Sequence, residues 1–238
     1  MLIYPLASSS EGNCYIISDG TTILMIECGI PVGRVTKKIN LANIDAILIT
    51  HEHKDHCGYL KQFIKSKQVY ATAGTFESKE DEIGLYVYHR NVIEKNKWFT
   101  IGSLQIYAFE TQHDAKEPVG YFIHSTTNSE NLLFATDTFY IKPRFEGINY
   151  LMIEANYDVK ILEENIKEGK IPSSLRKRLI HSHFEISNVI KFIQANDMSQ
   201  LKDVYLMHLS SGNSNEADFY NRVKEVVGKD VNVYVCAK

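Results

Sequence analysis

Residues 48–60 read LITHEHKDHCGYL, in which three histidines and an aspartate fall within six residues. They stand where an apolar strand run gives way to apolar positions at helical spacing. A metal site, a pH-sensitive cluster and an accident of helix capping would each place histidines there. Extended backbone sends alternate residues to one side, so His51, His53 and Asp55 converge if the strand continues. His56, expected to open the helix, can swing back toward the same point, and Asp55 is also an acceptable helix N-cap. Crowded imidazoles repel one another when protonated and suit a cation when neutral, which favours the metal.

The same arrangement recurs further along. IYAFETQ (106–112) runs into His113, NLLFAT (131–136) into Asp137, and VYLM (204–207) into His208, as ILIT (47–50) runs into His51. Each is an apolar run that closes on a ligand-type residue, and strand ends are rigid supports for bringing distant residues together. Seven nitrogen and oxygen donors suit two borderline divalent ions, Zn²⁺ or Mn²⁺, rather than a thiolate-rich structural zinc. Two ions need a shared anionic bridge. Asp137 is the only carboxylate among the three later strand ends, and so the expected bridge.

The rest of the chain frames this site. Its 238 residues are 44% hydrophobic and 23% charged, enough for one globular core, and a single domain over 1–238 is the simplest reading. The formal net charge of −3 neither announces nor excludes a nucleic-acid partner. The four cysteines have no paired spacing and read as reduced, buried thiols. The N-terminal stretch lacks a basic n-region, and no stretch approaches the roughly 20 apolar residues of a membrane span. A soluble, cytoplasmic protein without membrane attachment is expected. Short strand runs alternate with helical ones: helices are predicted over 31–41, 57–66, 159–169, 189–196 and 216–227, and strands over most of the apolar runs between. Two sheets packed face to face, with helices on both outer sides, would bury all of these runs.

HEHKDH fits the HxHxDH signature of the metallo-β-lactamase superfamily, which this sequence resembles over nearly its whole length. His113, Asp137 and His208 stand where that family's later His, strand-closing Asp and final His are expected. The resemblance implies an α/β fold, the four-layer αβ/βα metallo-β-lactamase sandwich. SSSEGNCYII (8–17), IEANYD (153–158) and HLSSGN (208–213) are similar to stretches of the YycJ (WalJ) group. Membership there implies a 5′-to-3′ exonuclease acting on DNA. Two departures stand out: Glu27 in LMIECG replaces the family's usual Asp, and HFEISN (183–188) is two residues longer than the group's HLSN.

The leading hypothesis is therefore a dinuclear metal-dependent phosphodiesterase. His51, His53 and His113 would bind one ion, Asp55, His56 and His208 the other, with Asp137 between them. Ions about 3.5–4 Å apart would hold a hydroxide nucleophile and stabilise the leaving alkoxide. Asp55, besides binding metal, and His183 are the expected catalytic residues. His183 would be the general acid for the leaving oxygen, with His181 competing for that role. Ser9 and Asn13 in one turn, and Ser210 and Asn213 in another, offer donors for phosphate oxygens. Arg176 and Arg178 in LRKR could hold the nucleic-acid backbone. The same metals would serve a hydrolase of a small substrate such as a cyclic nucleotide, lactone or thioester. A metal-stabilised binding module without turnover is the third reading. The oligomeric state is not legible.

Overall fold

The computed structural model describes residues 1–236 and divides into two compact units. The first comprises Met1–Glu110 and Ala115–Glu130, the second Thr111–Asp114 and Asn131–Cys236.

In the first unit, β1 (Leu2–Ser9), β2 (Gly12–Ser18) and β3 (Ile23–Ile26) form an antiparallel start. The short helix α1 (Val32–Val35) then leads to β4 (Ala46–Leu48), and α2 (Lys54–Cys57) and α3 (Leu60–Phe63) to β5 (Gln68–Thr72). Helices α4 (Ala73–Glu77) and α5 (Glu80–Ile83) lead to β6 (Arg90–Ile93). The six strands lie in sequence order, and β3 to β6 run parallel. A meander of β7 (Lys97–Ile101), β8 (Leu104–Glu110) and β9 (Val119–Ser125) completes the unit. Strands β3 and β4 are almost wholly buried, which is why they read as continuous apolar runs. Met25, Ile47 and Val69 belong to one core cluster with Leu60, Phe63, Ile64 and Phe76.

In the second unit, β10 (Asn131–Ala135), β11 (Tyr150–Glu154), β12 (Asp203–Met207) and β13 (Asn232–Val235) are parallel neighbours in the order β13-β12-β11-β10. Between β11 and β12 run α6 (Val159–Lys167), α7 (Ser174–Ser182) and α8 (Ile186–Ala195), and α9 (Glu216–Val227) precedes β13. Asp158, Glu185 and Asn215 cap α6, α8 and α9 by accepting backbone N–H donors. Parallel strands place all their C-terminal ends on one edge, the usual place for a ligand in an α/β sheet. Glu27 and His51 follow β3 and β4 in one unit. Asp137 follows β10, Glu154 ends β11 and His208 follows β12 in the other.

Several expectations change in detail. The helix predicted over 31–41 is only Val32–Val35, with a separate 3₁₀ turn at Leu41–Asn43. The one predicted over 57–66 is two pieces, because the Tyr59 N–H donates to the Cys28 carbonyl (3.1 Å) instead of continuing the helical ladder. Strand β4 ends at Leu48, so His51 and His53 lie in a loop rather than on a continuing strand, and His56 sits inside α2 rather than opening it. Asp55 is in the first turn of α2; the cap position belongs to His53, which makes no side-chain cap bond. Among the described residues, no helix is long and apolar enough to cross a membrane.

Candidate metal centre

In the first unit the HEHKDH loop is held from below. The buried Thr50 hydroxyl donates to Glu27 Oε1 (2.5 Å) and lies 2.9 Å from His51 Nδ1, which fixes that imidazole's orientation. Glu27 Oε1 is also 3.3 Å from His56 Nδ1. Burial pushes the Glu27 carboxyl up from its ordinary range, against the opposing pull of His56 and the Thr50 hydrogen bonds. The added methylene at this position thus still reaches the loop. His51 lies with its ring centroid 4.7 Å from His53 and 4.2 Å from His56. His56 Nε2 is 3.2 Å from Asp55 Oδ2. The three imidazoles and one carboxylate therefore do cluster, although by a loop and a helical turn rather than by strand alternation.

Asn13, expected from the sequence to be a phosphate contact, lies against the histidine loop. Its amide nitrogen is 3.3 Å from the Asp55 carbonyl, from Asp55 Oδ2 and from His56 Nε2. Tyr15 donates to Asn13 Oδ1 (3.1 Å), and the Tyr15 and Ser8 hydroxyls meet at 2.7 Å. The SSSEGN turn is thus a brace for the histidine loop. Ser9 is buried there and its hydroxyl accepts from the Glu11 N–H at 3.2 Å. Glycine at position 29 permits this packing: a Cβ there would stand 1.8 Å from the Asp55 carbonyl oxygen and 2.6 Å from the Asn13 nitrogen.

In the second unit, Asp137, Glu154, His183 and His208 each offer a ligand atom within 4.8 Å of one another. His208 Nδ1 is 2.5 Å from Asp137 Oδ1, and His113 Nε2 is 3.4 Å from Asp137 Oδ2. The Ser182 carbonyl, 2.9 Å from His113 Nδ1, orients that ring. Asp137 thus faces two imidazoles through different oxygens. Asp137 and His208 adopt positive φ, 46° and 52°, and so does Glu27 at 66°. Residues with a Cβ enter that region rarely and at a cost of order 1 kcal/mol or more, typically where a site demands it.

Glu154 stands in the IEANYD stretch, but no role was assigned to it from the sequence. It is fully buried, 2.7 Å from His183 Nδ1 through Oε1, while its Oε2 accepts the Phe184 and Thr138 N–H groups (3.1 and 3.2 Å). A carboxylate closing the buried run YLMIE was the available signal, since a charge on a strand with no exposed position needs partners. His183 is half-buried beside this carboxylate, its ring 5.5 Å from His113 and 5.7 Å from His208. His181 is exposed instead, with Nδ1 2.8 Å from the Lys177 carbonyl. It lines a cleft of about 490 Å³ with His113, Lys177 and Arg178.

The other expected substrate contacts differ among themselves. Arg178 lines that cleft, whereas Arg176 Nε donates to Glu163 (2.5 Å) on α6. Asn213 accepts from Asn165 (3.0 Å) and its backbone carbonyl accepts from Asp158, so it braces α6. The Ser210 hydroxyl accepts from the Asn213 N–H at 3.3 Å.

The donor chemistry fits divalent cations. Each unit presents imidazole nitrogens and carboxylate oxygens, the set that suits zinc or manganese. The neighbouring thiol is not part of it: Cys57 Sγ donates to the Glu52 carbonyl (3.0 Å), and burial pushes its pKa up to about 12.

The chain belongs to the Beta-lactamase superfamily domain family, whose model matches residues 30–209, and it is an enzyme of the metallo-β-lactamase fold. It is 29% identical over 224 residues to the exodeoxyribonuclease YycJ of Bacillus anthracis, covering 88% of this chain and 82% of that protein. It is 28% identical over 251 residues to the exodeoxyribonuclease WalJ of Streptococcus pneumoniae, covering 97% and 90%. Among solved structures, the metallo-β-lactamase fold protein YhfI of Bacillus subtilis matches with a TM-score of 0.73 at 14% identity, over 99% of this chain and 97% of that one. The α/β metallo-β-lactamase sandwich class expected from the sequence is borne out.

Proposed function

We propose that the chain works as one cytoplasmic domain, 1–238, and is a metal-dependent exodeoxyribonuclease degrading DNA from the 5′ end. In this reading the two sets of donors act together. His51, His53 and His113 would hold one divalent ion, Asp55, His56 and His208 the other, and Asp137 both, with Zn²⁺ or Mn²⁺ as the metal. Such ions would supply Lewis acidity, lowering the pKa of an attacking water and screening charge on the phosphoryl oxygens.

The protein's own groups do the rest. His183 Nδ1–H donates to Glu154, which fixes the ring. His183 Nε2 then delivers a proton to the leaving 3′ oxygen as the P–O bond breaks. Glu154 is the positioning residue, and its two further backbone donors keep it from turning toward any other partner. Asn13 and Glu27 orient Asp55 and His56, so the ligand geometry does not depend on the ion alone. Arg178 and Lys177, lining the cleft beside His113, would take the phosphates of the DNA chain.

The observation that carries this reading is the pairing of His183 with the buried Glu154 beside Asp137 and His208. The pairing holds the imidazole by one ring nitrogen, the arrangement a general acid needs and one that a metal-bound histidine shares, and the His183→Ala variant separates the two by its metal content. Relatives named exodeoxyribonucleases support the substrate class. The test is protein supplemented with Mn²⁺ or Zn²⁺ and offered end-labelled single- and double-stranded DNA, RNA, a cyclic nucleotide and a lactone. Mononucleotide release from 5′-accessible DNA is expected. Efficient hydrolysis of the cyclic nucleotide or lactone with no action on any polymer would refute it.

A further inference from the structure

The second unit carries another groove, of about 430 Å³, that no step above uses. One wall is the loop 139–144, which begins two residues beyond Asp137. Phe184, the residue after His183, also lines the groove, as do Lys191 and Phe192 of α8. The groove thus adjoins both the expected metal bridge and the expected acid.

The loop is tied down rather than loose. The Thr138 hydroxyl donates to the Tyr140 carbonyl (2.8 Å), and the Thr138 N–H donates to Glu154 (3.2 Å). At the far end the Phe145 N–H donates to Asn196 Oδ1 (3.3 Å), and Ile141 and Phe145 are buried as anchors. What remains outside is polar and aromatic. Lys142, Arg144 and Lys191 are exposed, and no carboxylate stands among the described residues that line the groove. On a chain of net charge −3 this is a local reversal of sign. Tyr140 is 55% exposed, and Phe139 lines both this groove and the cleft holding Lys177, Arg178 and His181. Its ring lies 6.1 Å from His181.

We propose that this groove holds the single-stranded DNA adjoining the scissile phosphate, with Lys142, Arg144 and Lys191 on successive phosphates and a base stacked on Tyr140. The inference rests on the exonuclease reading and extends it. Cations spaced along a groove gain affinity by releasing counterions from a polyanion. An exposed aromatic ring beside them selects unpaired bases, because a duplex has no free base face to offer. Phe139, common to both clefts, is the point at which the strand would turn from one to the other.

The measurement is anisotropy with cleavage-resistant phosphorothioate oligothymidylates of increasing length, on the metal-loaded protein and at several salt concentrations. Wild-type affinity should rise as the strand becomes long enough to enter the groove. Combined Lys142→Ala, Arg144→Ala and Lys191→Ala should remove most of that rise. It should also flatten the slope of log K against log salt by about 2, the value for three phosphates on a single strand. Tyr140→Ala, at an exposed position where folding is not at stake, should weaken binding of the longer oligonucleotides about fivefold or more. Wild-type protein that cleaves DNA, with variants that keep its affinity and salt slope, would overturn the groove and leave the exonuclease reading standing. No binding or cleavage of DNA by the wild type would overturn both. Polyglutamate displacing DNA with no effect of Tyr140→Ala would instead reassign the groove to an acidic peptide.

Discussion

Replacing Gly29 by alanine adds one methyl group at a residue that binds nothing, and the reaction should nonetheless slow about 10²-fold. The new Cβ would lie 1.8 Å from the Asp55 carbonyl oxygen, 2.6 Å from the Asn13 nitrogen and 2.6 Å from the Asp55 carbonyl carbon. All three are backbone atoms, so no side chain can turn aside. Real Cβ contacts start near 3.0 Å. The Asp55 carbonyl must therefore retreat by about 1.2 Å, the difference between 3.0 and 1.8 Å, and the α2 turn carrying Asp55 and His56 must go with it. Overpacking of this kind costs about 1–3 kcal/mol of stability, and a 1 Å displacement of catalytic groups costs about 10²-fold in rate. The assay is metal content by elemental analysis together with kcat on end-labelled DNA and a thermal melt. Gly29→Ala should still fold, with a lowered Tm, but bind less metal and turn over about 10²-fold more slowly. A variant with wild-type metal content and kcat would show that the brace beneath the histidine loop has no bearing on the site.

Asp137→Ala should release or misplace metal, because it removes the carboxylate that faces both His113 and His208; unchanged metal stoichiometry together with unchanged turnover would exclude it as the bridge. His183→Ala should keep metal and lower kcat by about 10²–10⁴, the worth of a positioned acid, and Glu154→Gln should shift the pH–rate profile in the same assay. Metal loss in His183→Ala would make that residue a ligand instead. Acid sensitivity should trace in part to Asp19. Burial alone would raise its pKa, but donors from Ser103, Thr22, Ser125 and Thr21 outweigh that and hold it well below its ordinary 3.8. A depressed folded pKa gives stability that is complete above the unfolded value and is lost as pH falls below about 4 toward the folded one. Asp19→Asn should lower stability at pH 7 by about 1–3 kcal/mol and lower it less at pH 3, as read from urea midpoints at both values.

How much of this could be read from residues alone depended on the distance over which each feature is encoded. Helix α9 matches its predicted span, Glu216–Val227, because its apolar period, its Asn215 cap and Gly228 after its end agree. Positions 57, 60, 63 and 64 were correctly spaced to be buried, but the helix break between them comes from the Cys28 carbonyl, some thirty residues away in sequence. The clustering of His51, His53, Asp55 and His56 was legible for a reason that proved incomplete, since strand alternation is not what gathers them. Asn13 was expected at a phosphate because turn residues carry donors, and its contacts with Asp55 and His56, more than forty residues away in sequence, could not be read from the turn. Glu154 stayed hidden because a lone carboxylate in an apolar run does not name its partner, and His183 lies in a different element.

The left-handed backbone at Glu27, Asp137 and His208 gives a locator that is independent of side-chain chemistry. Among the described residues five non-glycine positions have positive φ, and three of the five follow an apolar strand and bear or brace the ligand-type groups. A main-chain trace alone would therefore point to these strand ends before any histidine was named. Glycine would relax all three positions and leave them chemically empty. A library selected only for folding should drift toward glycine there, and one selected for turnover should not, so the contrast between the two would test these strand ends without an assay of any single residue.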